Sequence, residues 1–238
     1  MCDGIELLRG GAALLTDDNT LVVADMHLGC EAALEYEGLS IPRIQSRKIE
    51  EYLTSVIDEV RPSRLIVAGD LKHNFSRNLV QEWHDVDRFV RMLSGRVQLE
   101  VVKGNHDNYL GAMLRDHKVP LTMETTCSGI RILHGHQGTR AKGTTIIGHI
   151  HPCVRLGDSV GASTKETCFL FEPEKEVLVL PALSLVSPGT DVVGQAWPDG
   201  ISPLLPETRL STFEPITFSG NRPLRFPSVA TLRGLRQK

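Results

Sequence analysis

The stretch "LVVADMH", Leu21 to His27, decides how the rest of this 238-residue chain is read. A short apolar run rich in Val and Leu has the signature of a buried strand, and this one closes on an aspartate and a histidine two residues apart. Alternate residues of an extended chain point to the same side, so Asp25 and His27 can converge on one object. Taken singly the pair says little. An aspartate after an apolar run is commonly a helix cap or turn residue, and a histidine is more often a satisfied surface or core group than a ligand. Four further runs end in the same way: "RLIVAGD" (64–70) on Asp70, "LEVVKGNHD" (99–107) on Asn105, His106 and Asp107, "IRILHGH" (130–136) on His134 and His136, and "TTIIGHIH" (144–151) on His149 and His151. Six of the nine histidines fall at these five places, so a shared site replaces what would otherwise be five coincidences.

Between the first runs, Ile44, Ile49, Leu53, Val56, Ile57 and Val60 recur near helical spacing ahead of Pro62. Leu79, Trp83, Val86, Val90 and Leu93 then step by four, three, four and three, the pattern of an amphipathic helix. The β-α-β-α-β order predicts an α/β fold with parallel strands at its start, whose ligand crevice lies outside the carboxyl ends of the strands. The polar ends of the five runs are therefore expected to meet at one edge of the sheet. "TCFLFE" (167–172), a charged turn and "EVLVLPA" (176–182) predict a β-hairpin that extends or faces this sheet. From Ser187 on, Pro and Gly become frequent and periodicity fades, so residues 187–238 are expected to form an irregular basic tail packed on one domain spanning 1–238.

Hydrophobic residues at 41% and charged residues at 23% are ordinary for a globular chain of this length. No segment approaches the roughly 18–20 apolar residues that would span a bilayer, and the start "MCDGIELLRGG" lacks the pattern of a secretory signal, so the expected setting is cytoplasmic, with no membrane partner. Five cysteines without a CxxC pair are expected as reduced, buried thiols. The formal charge of −3 hides an asymmetry: from Arg209 to Lys238 six basic residues face Glu214 alone, a stretch suited either to phosphate backbones or to packing on its own domain.

Carboxylate, imidazole and amide oxygen together suit borderline divalent ions such as Mn²⁺, Fe²⁺ or Zn²⁺, whereas thiolates would suggest structural zinc. The candidate ligands outnumber what one tetrahedral site uses. They suit two ions sharing a bridging carboxylate about 3.5–4 Å apart, which clamp the oxygens of a phosphoryl group and favour in-line attack on phosphorus.

In order and spacing, D-x-H (Asp25, His27), GD (Asp70), GNHD (Gly104–Asp107), HGH (His134–His136) and GHxH (Gly148–His151) resemble the calcineurin-like metallophosphoesterase superfamily. The resemblance implies a four-layer α-β-β-α sandwich and a dinuclear centre, with Mn²⁺ the first choice of ion and Fe²⁺, Zn²⁺ and Ni²⁺ the alternatives. Carried over by position, Asp25, His27 and His151 would bind one ion, Asn105, His134 and His149 the other, and Asp70 would bridge them. The family's HGH uses its first histidine, which selects His134 over His136. His106 would stabilise the transition state or protonate the leaving oxygen, with Asp107 orienting it. Lys72 and His73 beyond Asp70, and Arg140 and Lys142 beyond the HGH, are candidates for contacts to a substrate phosphate.

"GDLKHNF" departs from the GDxxDRG of protein Ser/Thr phosphatases and lacks the tyrosine of purple acid phosphatases. "DMHLG", "GDLKH" and "VLPALSLVSPGTDV" are more similar to small prokaryotic phosphoesterases associated with DNA helicases or DNA ligases. The expected function is thus a metal-dependent phosphodiesterase or nuclease, with DNA or RNA as substrate, a setting in DNA repair, and a helicase or ligase as partner. The alternatives are hydrolysis of a small phosphodiester or phosphomonoester, such as a cyclic nucleotide or nucleotide derivative, and a catalytically silent scaffold for such a partner. No aromatic residues interleave with the basic ones in the manner of a single-strand stacking surface.

Overall fold

The computed structural model describes residues 4–75, 79–138, 143–157, 163–174, 176–187, 189–194 and 201–236. An N-terminal hairpin, β1 (Ile5–Leu8) and β2 (Ala12–Leu15), leads into β3 (Thr20–Val23), which is followed by the short helix α1 (Cys30–Tyr36) and the long helix α2 (Gln45–Val60). Then come β4 (Arg64–Ala68), α3 (Val80–Ser94), β5 (Gln98–Val102), α4 (Leu110–Asp116) and β6 (Leu121–Thr122). These strands form one sheet in the order β1-β2-β3-β4-β5-β6, parallel from β3 onward, as the β-α-β-α-β pattern requires.

The remaining strands build a second layer. They are β7 (Glu124–Cys127), β8 (Ile130–Leu133), β9 (Thr145–Ile147), β10 (Pro152–Gly157), β11 (Ser163–Thr167), β12 (Phe169–Glu172), β13 (Val177–Val179) and β14 (Thr190–Asp191), followed by α5 (Glu207–Leu210), β15 (Glu214–Ser219), β16 (Arg222–Arg225) and α6 (Val229–Arg236). The second sheet runs β16-β15-β12-β13-β9-β8-β7, and β10 stands between β11 and β14 in a small third sheet. The expected hairpin is present as antiparallel β12 and β13. The five polar-ended runs are thus divided between two sheets: β3, β4 and β5 in the first, β8 and β9 in the second.

Period-two alternation sorts the apolar side chains into three cores. On one face of the first sheet Leu21, Val23, Leu65, Val67, Leu99 and Val101 pack on Leu53 of α2, Phe89 and Leu93 of α3 and Met113 of α4. On its other face Val22, Ala24, Ile66 and Ala68 meet Ile132, Ile146, Phe169, Phe171 and Leu178 of the second sheet. The far face of the second sheet, Leu133, Ile147, Leu170 and Val179, is covered by Val154 of β10, Leu210, Phe213 and Val229. Helices, sheet, sheet and an outer mixed layer make the four layers.

The C-terminal segment departs from the expected irregular tail. Glu214–Ser219 and Arg222–Arg225 extend the second sheet because Ile216 supplies an inward apolar residue where β12 still has an open edge. Its arginines are partly spent on the body: Arg209 pairs with buried Glu172, Arg225 pairs with Glu214 over the Phe171 ring, and Arg233 donates to the Val192 carbonyl at 3.2 Å. No described helix is long and apolar enough to cross a membrane. Cys30, Cys127, Cys153 and Cys168 are buried and unpaired with one another, as expected.

Because Phe213 is fully buried beneath the second sheet, Phe213→Ala is expected to cost about 3–5 kcal/mol in urea unfolding. A loss under about 1 kcal/mol would mean that this segment is not part of the cooperative core.

Candidate metal centre

Where β3, β4, β5, β8 and β9 end, the chain turns sharply and leaves its polar residues at the seam between the two sheets. Asp25, His27, Asp70, His149 and His151 all have positive φ (55°, 48°, 51°, 71° and 49°), a region that side-chain-bearing residues seldom adopt and that clusters at functional sites. The glycines of the motifs make room for the carboxylates. A Cβ on Gly104 would stand 2.0 Å from Asp70 Oδ1, and one on Gly148 would stand 2.7 Å from Asp25 Oδ2.

Three groups of side chains bring ligand-type atoms within 4.8 Å of one another: Asp25, His27 and His151; Asp70, His134 and His149; and His27, His73 and His106. Nε2 of His27 and Nε2 of His151 face each other at 3.2 Å, and His151 Nε2 lies 3.4 Å from Asp25 Oδ1. In the second group His134 Nε2 is 3.3 Å from Asp70 Oδ2 and 3.1 Å from Asn105 Oδ1, which adds the amide oxygen to the set. Asp70 Oδ2 also lies 3.8 Å from His27 Nε2, so this carboxylate stands between the groups.

The outward nitrogens of three imidazoles are held by other groups. His134 Nδ1 donates to the Ala68 carbonyl at 3.0 Å, His149 Nε2 donates to the Ile201 carbonyl at 2.8 Å, and His151 Nδ1 meets Ser187 Oγ at 2.6 Å. Fixing one nitrogen so that the other faces inward is the usual second contact of a metal-binding histidine. Asp25 tests whether a cation fits. Its Oδ2 accepts the His149 backbone N–H at 2.8 Å, whereas its Oδ1 is buried without a hydrogen-bond partner among the described residues. An orphaned carboxylate oxygen aimed at imidazole nitrogens suits a divalent ion.

Electrostatics divides the histidines. Burial alone would raise the Asp25 and Asp70 carboxyls, but the facing imidazoles outweigh it and hold both below the ordinary range. His134 responds in the opposite sense: burial would lower it, yet its bond to Asp70 and the charge of Asp25 carry it up to about 9. Burial pushes His27 down to about 3 against the pull of Asp25, and pushes His136 down to about 4 with help from His134.

Two expected contacts are different in the structure. Asp107 makes no hydrogen bond to the His106 ring among the described residues: its Oδ2 accepts the N–H groups of Asp70 (2.9 Å) and Gly104 (2.8 Å), and its Oδ1 that of Lys72 (3.2 Å), so it knits the loops after β4 and β5 together. His106 is held instead through Nδ1 by the His73 carbonyl, with its Nε2 at 4.0 Å from Asp70 Oδ2. Lys72 is buried, its ammonium meets the Asn74 carbonyl and stands 3.8 Å from Glu82 Oε2, and it is not among the residues that line either cavity of the cleft. His136 is in none of the ligand groups, its ring 5.1 Å from that of His134. Arg140 and Lys142 lie outside the described residues.

His73 does line the cleft. A cavity of about 420 Å³ runs over His27, His149 and His151 to Leu34, Val186 and Ile201, and a second of about 440 Å³ runs from Ala33 and Tyr36 to Phe75; both have His73 and His106 in their walls.

Gln45 carries no sequence signal, being one polar position in the first turn of an amphipathic helix, yet it ties the site together. Its fully buried amide donates to the His27 carbonyl at 2.9 Å and accepts Ser184 Oγ–H at 2.8 Å and the N–H groups of Leu185 and Val186, both at 3.1 Å. It thereby joins the loop after β3 to the segment that brings Ser187 against His151. Glu31 and Glu82 are similar, each accepting two backbone N–H groups on loops beside the site.

A two-sheet sandwich with carboxylates and imidazoles paired at the strand ends is a candidate metal centre, and a family match gives its class, a phosphoester hydrolase. The calcineurin-like phosphoesterase family model matches residues 19–153, more than half of the chain, and the chain belongs to that family. Among solved structures, the nuclease MPE of Pseudomonas putida shares the fold with a TM-score of 0.67 at 18% identity, over 92% of this chain and 94% of that one. YfcE, a phosphoesterase from E. coli, aligns over 72% of this chain and 83% of its own, with 17% identity and a TM-score of 0.40. No curated protein matches the sequence significantly.

Gln45→Ala is expected to preserve the fold while weakening divalent-ion binding about 10-fold or more in calorimetric titration, since it releases the loops that aim the ligands. Unchanged affinity would show that the strand ends hold their geometry unaided.

Proposed function

We propose that this protein hydrolyses phosphodiester bonds with two divalent ions, Mn²⁺ being the first choice for its mixed oxygen and nitrogen donors, and that its substrates are nucleic acids. In this reading Asp25, His27 and His151 hold one ion, Asn105, His134 and His149 the other, and Asp70 serves both. The observation that carries the choice of a diester is the cleft, whose two cavities meet at His73 and His106. A phosphoryl group at that junction has room for an organic substituent on either side, whereas a monoester would fill one arm alone.

Bound divalent ions supply Lewis-acid polarisation of the phosphoryl oxygens. The protein's own groups do the rest. The apolar walls of the first cavity, Leu34, Val186 and Ile201, restrict water around the phosphorus. His106, whose Nδ1–H donates to the His73 carbonyl, presents Nε2–H to the cleft in its imidazolium form. It gives that proton to the departing oxygen as a water oxygen bonds to phosphorus and the P–O ester bond breaks, which leaves His106 neutral. Asp107 keeps the loops bearing Asp70 and His106 in one arrangement.

Hydrolysis of bis(4-nitrophenyl) phosphate beside 4-nitrophenyl phosphate, with added Mn²⁺, tests this reading. The diester should be preferred, Asp70→Ala should abolish turnover, and His106→Ala should retain its metal while kcat falls about 10²- to 10⁴-fold. Preference for the monoester, or loss of metal in step with activity in His106→Ala, would contradict it.

A further inference from the structure

The second cavity has a composition that the metal chemistry does not use. It is walled by Tyr36 at the end of α1 and by Phe75 beyond the Asp70 loop, with His73 and His106 at its inner side and Asn74 and Glu37 among its polar groups. Tyr36 is 69% and Phe75 55% exposed, whereas Phe89, Phe169 and Phe213 are fully buried. Among the described residues three aromatic rings are exposed, and two of them border this one groove. Phe75 is held in place: its carbonyl accepts Asn108 Nδ2–H at 3.1 Å, the preceding Asn74 N–H is bound by Glu82, and its ring stands edge-on to His106 with centroids 6.1 Å apart.

We propose that this groove seats a nucleobase of the strand whose phosphodiester lies at the metal centre, with Phe75 and Tyr36 supplying the stacking faces. The inference rests on the phosphodiesterase reading and adds to it the part of the substrate that is recognised. The groove's volume of about 440 Å³ falls within the range of small-ligand sites, which is about 300–1,000 Å³. Exposed Glu37 in its wall disfavours a second phosphate, so the uncharged part of the substrate belongs there. A base offers π faces to the two rings and a hydrogen-bonding edge to Asn74 and Glu37; an aliphatic alcohol offers no such face. Stacking of this kind accepts any base, so the groove confers a preference for unpaired strands without a sequence code.

The test compares a single-stranded oligonucleotide with methyl 2,2,2-trifluoroethyl phosphate, whose ester groups offer no aromatic face and whose hydrolysis is followed by fluorine NMR after chelation of the metal, using the full chain and Mn²⁺. Tyr36→Ala and Phe75→Ala should each raise KM for the oligonucleotide by roughly 5- to 100-fold, the effect of losing one stacked base, and leave the small diester's kcat/KM unchanged. Tyr36→Phe and Phe75→Tyr should restore the oligonucleotide KM, which separates stacking from damage to the fold. An abasic residue beside the cleaved bond should reproduce the loss in the wild type. Alanine variants with unchanged oligonucleotide KM, or with equal losses on both probes, would overturn the base seat. A wild type active on the small diester alone would overturn it too, with the phosphodiesterase reading intact, and a wild type inactive on both would take down the two together.

Discussion

Three carboxylates, Asp25, Asp70 and Asp107, are buried at the seam of two sheets, each at most 1% exposed. Removing a charge from water costs several kcal/mol, so each needs compensation close by. Asp107 finds it in three backbone N–H groups, and Asp25 and Asp70 find part of theirs in His134, His151 and the amides of His149 and His106. The remainder is Asp25 Oδ1, which has no hydrogen-bond partner among the described residues and which a divalent ion would satisfy. Much of the surrounding structure follows from this constraint: the glycines that yield space, the positive φ angles at the strand ends, and the carbonyls that fix the outward nitrogens of the imidazoles.

Positive φ at five of these positions is a conformation that costs energy and persists when its surroundings over-determine it. The over-determination comes from both sheets at once. His27 N–H bonds the Asp70 carbonyl at 3.0 Å within the first sheet's loops, while Asp25 reaches across to His149 of the second. Neither sheet could form the centre alone, so metal binding and sheet packing are expected to stabilise each other.

Much of the site was legible in the sequence because strand ends and ligand types coincide there. Continuous apolar runs such as Leu21–Ala24 and Leu65–Ala68 read as strands buried on both faces, and the HGH and GHxH spacings placed imidazoles beside them. What escaped the sequence depended on distant partners. Nothing near Gln45 announces that its amide will meet Ser184, and the periodicity of 187–238 was too weak to reveal β15 and β16, whose pairing is set by the open edge of β12. The contacts of Lys72 and Asp107 escaped for a related reason: both have the right charge for substrate or catalysis, and the partners they meet, Glu82 and three backbone amides, are not announced by the motifs around them. Tyr36 and Phe75 are far apart in sequence and share a groove because the loops after β3 and β4 run side by side, linked from Leu28 to Lys72.

The central claim is that the seam holds two ions, one on each side of Asp70. Anomalous diffraction at the manganese edge from crystals grown with Mn²⁺ tests it most directly. Two peaks are predicted, one among Asp25, His27 and His151 and one among Asn105, His134 and His149, with Asp70 touching both. A single peak, or peaks that leave Asp70 uncoordinated, would contradict the account.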